Sequence, residues 1–220
     1  DTTDDFIGHG THVAGIVSGV APKARVYNAK VFAGIASFSE CWSSHSAPHS
    51  AGPPQGGWVF CDHGVFAAES EIVAGIEGAV SNGAQVINLS LGGRYQPPQT
   101  CMDFLLSQYV RDLVTNRGVA VVVSAGNGGP YPQTIAFPGC VPEVITVGAA
   151  GTSQPPQVTN YSSRGPTLEG VMKPDLVAIG GDDNIWPPYD AFPNHIAYIF
   201  PGGVASTESR KLWSFLGFAD

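Results

Sequence analysis

Residues 72–93 read IVAGIEGAVSNGAQVINLSLGG, and this stretch decides the fold class. Ile72, Val73, Ile76, Ala79 and Val80 recur at helical spacing, and Gly83 supplies the left-handed residue that stops such a helix. Gln85 to Leu91 then reads as a strand that ends in Gly92-Gly93. The alternation continues in both directions. Val13, Ile16, Val17 and Val20 predict a buried helix from about Thr11, followed by a strand over Ala24 to Phe32. Leu105, Leu106, Tyr109, Val110 and Leu113 predict a third helix, stopped near Gly118. Val119 to Ser124 and Glu143 to Gly148 are short apolar runs of the kind that a sheet buries on both faces. Strands separated by helices imply right-handed crossovers, hence an α/β fold with a mostly parallel sheet. Such sheets bind ligands outside the carboxyl ends of their strands. The segments to watch are therefore Ser90 to Gly93 and Ala125 to Gly128.

The composition fits a packed domain. Of 220 residues, 43% are hydrophobic and 13% charged, which excludes a disordered, charge-solvated chain. The 28 Gly and 18 Pro make up about a fifth of the chain, below the roughly 25–30% of low-complexity sequence. A net charge of −8 with scattered Lys and Arg leaves no footprint for a phosphate backbone, so no nucleic-acid partner is expected. No apolar run approaches the roughly 18 residues of a membrane span. The chain opens on Asp1, and Met102 and Met172 are internal, so any leader is expected to lie outside this sequence.

Two stretches break the alternation. Residues 34–69 hold Cys41, Trp42, Trp58, Cys61 and three His, and read as a surface insertion. Residues 181–220 are rich in aromatics, among them Trp186, Tyr189 and Phe192, without a helical period. They read as a divergent tail on a core spanning 1–180.

Three segments carry the chemistry. In Gly8-His9-Gly10-Thr11-His12-Val13-Ala14-Gly15 the glycines let the backbone approach a partner and leave an imidazole at a helix entrance. A histidine there is also often no more than a cap. In Ser124-Ala125-Gly126-Asn127-Gly128-Gly129 the Asn side chain could face developing negative charge, or could simply be a left-handed turn residue. Ile87 to Gly93 is either a cleft strand or a buried strand meeting a turn.

Taken together the segments resemble the subtilisin-like serine proteases, the subtilases. GHGTHVAG, INLSLGG and SAGN match that family's histidine, cleft-strand and oxyanion motifs. ITVGA at Ile145 to Ala149, SSRGP at Ser162 to Pro166 and KPDLVA at Lys173 to Ala178 follow in the family's order, over roughly Asp5 to Gly180. The resemblance implies a three-layer fold with helices on both faces of the sheet and a secreted or extracytoplasmic endopeptidase. It implies His9 as general base and Asn127 as oxyanion donor. Ser90-Leu91-Gly92 and Ser124-Ala125-Gly126 would be the two segments that sandwich an extended peptide. His12 would pack and hydrogen-bond within the first helix.

Two of the family's motifs are not where the pattern needs them. The order is Asp, His, Ser, and only eight residues precede His9, so Asp1, Asp4 and Asp5 sit too close to serve. The GTSMA motif is also missing. Aligned on Gly202, Val204 stands at the nucleophile's position, and Ser206 is the nearest hydroxyl. Truncation with a shifted reading frame after about Gly180 would account for both, as would true loss of the nucleophile in a peptide-binding module. Either way the chain as written is expected not to hydrolyse peptides.

Within the resemblance, Cys41 with Cys61 would close the insertion and Cys101 with Cys140 would tie the third helix to a later loop. A zinc site of Cys41, His45, His49, Cys61 and His63 is the rival, but its spacing matches no standard structural pattern. No cofactor is required for the chemistry. Structural calcium is common in the family, and no acidic cluster places one here. The expected partner is a peptide or protein substrate, with no membrane contact.

Overall fold

The computed structural model describes residues 9–32, 59–62 and 65–181. α1 spans His9–Val20. β1 (Val59–Asp62) and β2 (Val65–Ala68) form an antiparallel hairpin inside the insertion. α2 spans Glu69–Ser81, β3 Val86–Leu89, α3 Leu105–Thr115, β4 Ala120–Ser124, β5 Ile145–Ala150 and β6 Leu176–Ile179. A short 3-10 turn at Cys101–Asp103 precedes α3. The strands β3-β4-β5-β6 lie in that order in one parallel sheet. The α/β class and the parallel sheet are as expected. β6, hidden in KPDLVA, and the β1–β2 hairpin are additions to the reading.

Helix ends follow local chemistry. The Glu71 carboxylate accepts the Ala68 N–H at 2.9 Å, at the start of α2. At its end the Gly83 N–H reaches Val80 O and the Ala84 N–H reaches Ala79 O, with Gly83 at φ +87°. This is the double-bonded left-handed stop for which glycine is suited. Gly118, at φ +66°, plays the matching part after α3, where the Val119 N–H returns to Leu113 O at 3.0 Å.

One face of the sheet is packed. Ile72 and Ile76 of α2 and Leu106, Val110 and Leu113 of α3 share a core with Ile87, Leu89, Val121 and Val123. Burying each of these large side chains is worth roughly 1.5–3 kcal/mol. Glu69, 1% exposed, spans the two helices: its carboxylate accepts the Leu106 N–H at 2.6 Å, in the first turn of α3. That N–H has no partner within its own helix, and the carboxylate suits the helix's positive end. Lys173 ties the amino ends of β5 and β6 together. Its side chain is 1% exposed and donates to Val144 O and to Asp175 Oδ2, each at 2.6 Å, while the same Asp175 oxygen accepts the Thr146 N–H. A buried ammonium needs such partners, and KPD supplies one of them in cis.

Three expectations require correction. β4 and β5 were expected to be buried on both faces, yet Val122, Ser124 and Val147 are half-buried and Ile145 is exposed. With Val86 and Leu176 they form a face that α2 and α3 do not cover. α1 was expected to be buried, yet it buries none of its residues. Its apolar stripe is real, but periodicity reports only which side of a helix is apolar. Finally, Ala24 to Phe32 is not a strand. A strand exists through its ladder, and among the described residues no strand or β-bridge partners this segment. It lies instead along α2, where an added Cβ on Gly75 would strike Val31 and one on Gly78 would come 3.5 Å from the Tyr27 hydroxyl.

The loops after β4 and β5 replace crossover helices and are pinned by side chains. Cys101 and Cys140 form a disulfide with Cα atoms 5.9 Å apart, which ties the start of α3 to the loop before β5. Closing a chain segment of 39 residues is worth about 4 kcal/mol in a loop-entropy account. Cys41, most of the insertion and the tail beyond 181 lie outside the described residues, and with them the Cys41–Cys61 pairing and the zinc alternative. Glu169 acts as a strut: its carboxylate accepts the Cys101 N–H at 2.7 Å and the Tyr95 hydroxyl at 2.8 Å. Burial alone would raise its pKa, but these hydrogen bonds outweigh burial and hold it below the ordinary carboxylate value. Burial, with the Glu169 contact, pushes the Tyr95 phenol well above its usual value.

Two outcomes follow for stability. Glu69→Ala leaves a buried helix N–H unpaired and should lower the urea-unfolding free energy by about 2 kcal/mol. Glu169 has a depressed folded pKa, so its contribution is present above the model carboxyl value of 4.5 and lost as pH falls through the folded value. Glu169→Gln should therefore be less stable at pH 7, with the difference shrinking below pH 4.5 until the curves converge, as read by urea midpoints across that range.

Candidate active site

Parallel pairing sets the carboxyl ends of the strands side by side. Leu89 faces Val123 across β3–β4, and Ser124 faces Val147 across β4–β5. A cavity of about 330 Å³ opens over these ends, lined by Asn88, Ser90, Ser124, Ala125, Gly126 and Asn127 with the ends of β5 and β6. Five of the eight residues expected at the site thus meet in one concavity. Leu91 and Gly92 follow Ser90 in the chain but lie outside the lining, as does His9, exposed at the first residue of α1.

The walls of the cavity are held by backbone contacts. Beyond Ser90, the Gly93 N–H donates to Phe137 O and the Phe137 N–H to Gly93 O, both at 2.9 Å. A Cβ on Gly92 would come 2.8 Å from Phe137 O, so the close approach requires glycine. Phe137 stacks on Phe104 at 3.7 Å, and Tyr95 meets Phe104 edge-on at 5.9 Å. This aromatic group, with the Cys101–Cys140 bridge behind it, backs the wall. On the opposite side the Ala125 N–H donates to Val147 O, extending the β4–β5 ladder, and Ala125 O accepts the Ala136 N–H. Residues 136–139 therefore lie against 124–126. Ala136, Phe137, Pro138 and Gly139 are all buried, and none is charged.

Asn127 projects from the turn beyond β4 and is exposed, free to meet a ligand with its side chain. Gly126 before it sits at φ +101°, where a side chain would be strained and would crowd Ala136. The turn is fastened to residues 160–164: the Gly129 N–H donates to Tyr161 O, and a Cβ on Gly129 would strike the carbonyls of Asn160 and Ser162. Such a turn can present a fixed donor to an anionic oxygen. Residues 161–164, Lys173 and Glu169 carry no mark of the site in the sequence beyond the SSRGP and KPDLVA strings, whose roles are supports rather than contacts. Among the described residues no group of three or more His, Cys, Asp or Glu could hold a metal ion. No described helix is long and apolar enough to cross a membrane.

Comparison with known proteins fits this geometry. Residues 1–211 match the Subtilase family, peptidase S8. Serine protease AprX of Bacillus subtilis strain 168 is 32% identical over 202 residues, covering 80% of this chain and 38% of that protein. Subtilisin E from the same organism is 33% identical over 183 residues, covering 78% and 38% respectively. The chain thus spans well under half the length of these relatives. Among solved structures, a lanthipeptide protease aligns with a TM-score of 0.54 at 20% identity, over 81% of this chain and 45% of that one, which shows the fold alone. A match over residues 1–211, which include β3, the Asn127 turn and their supports, means that this chain belongs to the subtilase family of serine proteases.

Proposed function

We propose that the chain supplies the peptide cleft and the oxyanion donor of a subtilase serine endopeptidase, and that as written it holds peptides without cutting them. The observation that carries the reading is the meeting of Ser90, Ser124, Ala125, Gly126 and Asn127 around one concavity at the carboxyl ends of β3 and β4. An extended peptide would lie between Ser90-Leu91-Gly92 and Ser124-Ala125-Gly126 as an added strand. Its carbonyl oxygen would face the Asn127 amide, a kind of donor worth about 2.7–4 kcal/mol as negative charge develops there. His9 is the group that would take a nucleophile's proton and return it to the leaving amine. That step needs an oxygen nucleophile, and Val204 offers none. A cleft and donor without the nucleophile leave only about 10³–10⁴-fold over water. The Cys101–Cys140 disulfide supports a secreted or extracytoplasmic setting, since such bridges persist in oxidising compartments. Structural calcium stays a proposal without a placed site.

The purified chain should neither turn over a chromogenic peptide with an apolar residue before the scissile bond nor react with a fluorophosphonate probe. Turnover abolished by His9→Ala, or labelling at Ser206, would sink the non-hydrolysing reading and make Ser206 the nucleophile. The uncharged pocket of residues 124–126 and 136–139 should also bind peptides with Phe or Leu at that position better than those with Arg, since a buried cation would lack a partner. A peptide-array preference for Arg would refute the pocket assignment.

A further inference from the structure

The orientation of Asn127 is set by two peptide units, one on each side of it. The first, between Gly126 and Asn127, ends in the Gly126 carbonyl, which accepts the Ser163 N–H at 2.9 Å. The second, between Asn127 and Gly128, carries the Gly128 N–H, which donates to Ser163 Oγ at 2.9 Å. One residue thus fastens both peptide planes that fix the φ and ψ of Asn127. Ser163 is 1% exposed, which shields its side of these bonds from water.

The two neighbouring glycines make the clamp possible. A Cβ on Gly126 would come 3.0 Å from Ser163 Oγ, and one on Gly128 would come 3.3 Å from it. Gly-Asn-Gly is therefore the sequence that admits the hydroxyl on both sides and leaves the single intervening side chain pointing outward. Ser163 is itself anchored. Its neighbour Ser162 accepts the Ala149 N–H on Oγ at 2.9 Å, at the end of β5. On the other side the Arg164 N–H donates to Thr134 Oγ1 and Arg164 O accepts the Thr134 N–H. The tandem serines divide the work: Ser162 holds the sheet and Ser163 holds the turn.

We propose that Ser163 is the positioning residue of Asn127, aiming its side-chain amide at the carbonyl of a bound peptide. A fixed backbone limits the rotamers open to a side chain, and a donor held in place needs no reorganisation when charge develops. The proposal rests on the reading of Asn127 as the donor, and the test separates the two.

The 220-residue chain, labelled with 15N, is compared with Ser163→Ala, Ser163→Thr, Asn127→Ala and the double Asn127→Ala/Ser163→Ala variant. Ser163→Ala should speed exchange of the Gly128 amide roughly tenfold or more while leaving the Ala149 amide, held by Ser162, unchanged. It should also move the Asn127 side-chain amide resonances toward those of a free asparagine, and Ser163→Thr should restore both signals. If the alanine variant does not fold, Ser163→Cys, of similar size with a weaker acceptor, serves the same comparison. A hexapeptide amide with Phe at its fourth position should bind about threefold more weakly to Asn127→Ala, equally so to Ser163→Ala, and no more weakly to the double variant. Unmoved Asn127 signals in Ser163→Ala, or equal loss of protection at Gly128 and Ala149, would overturn the proposal. Peptide affinity unchanged in Asn127→Ala would overturn the donor reading instead, with the amide signals still deciding the role of Ser163.

Discussion

Parallel pairing of β3, β4, β5 and β6 is the constraint on which everything else hangs. Parallel neighbours must each return over or beside the sheet before they pair, so all four carboxyl ends fall on one edge. One return, from β3 to β4, is made by the 3-10 turn and α3, which together with α2 ahead of β3 build the packed face through Glu69, Ile72, Leu106 and Leu113. The other two, residues 125–144 and 151–175, carry no helix among the described residues. Their parts nearest the carboxyl edge, residues 125–129, 136–139 and 160–164, pack around the Asn127 turn.

Long loops of this kind are uncommon in compact domains unless something restrains them. Here the restraints are specific. The Cys101–Cys140 bridge, the Phe104–Phe137 stack and the Gly93–Phe137 hydrogen bonds hold the first loop. Lys173, with Val144 and Asp175, and Ser162, with Ala149, hold the second. Close approaches at Gly92, Gly126 and Gly129 then draw the two loops and the strand ends together. Restraints of this kind fix a site built on loops in place, as the proposed Asn127 donor would need.

The cavity and the sheet face that α2 and α3 do not cover belong to one surface. Val122, Ser124, Val147 and Ala178 look the same way, and the cavity floor grades into that face. α1 carries an apolar stripe of Val13, Ile16, Val17 and Val20 yet buries no residue. His9, the first residue of this helix, lies outside the cavity lining that includes Asn127.

The sequence by itself determined much of this protein: helices over α2 and α3 with their glycine stops, strands at β3, β4 and β5, and the strings around Ser90 and Asn127. These are local facts. A 3.6-residue period, a left-handed glycine or an apolar run ending in Gly-rich sequence expresses its physics within about ten residues. Only the tertiary structure decided the rest. It decided that 24–32 is not a strand, because a ladder needs a partner that periodicity cannot supply. It decided that α2 and α3 cover one face of β4 and β5 and not the other, because burial depends on what packs above them. It also decided that Glu69 serves α3, that Lys173 is buried, and that Ser163 grips the Asn127 turn. Each of these is a contact across 29 to 37 residues between groups whose local sequence carries no sign of the other.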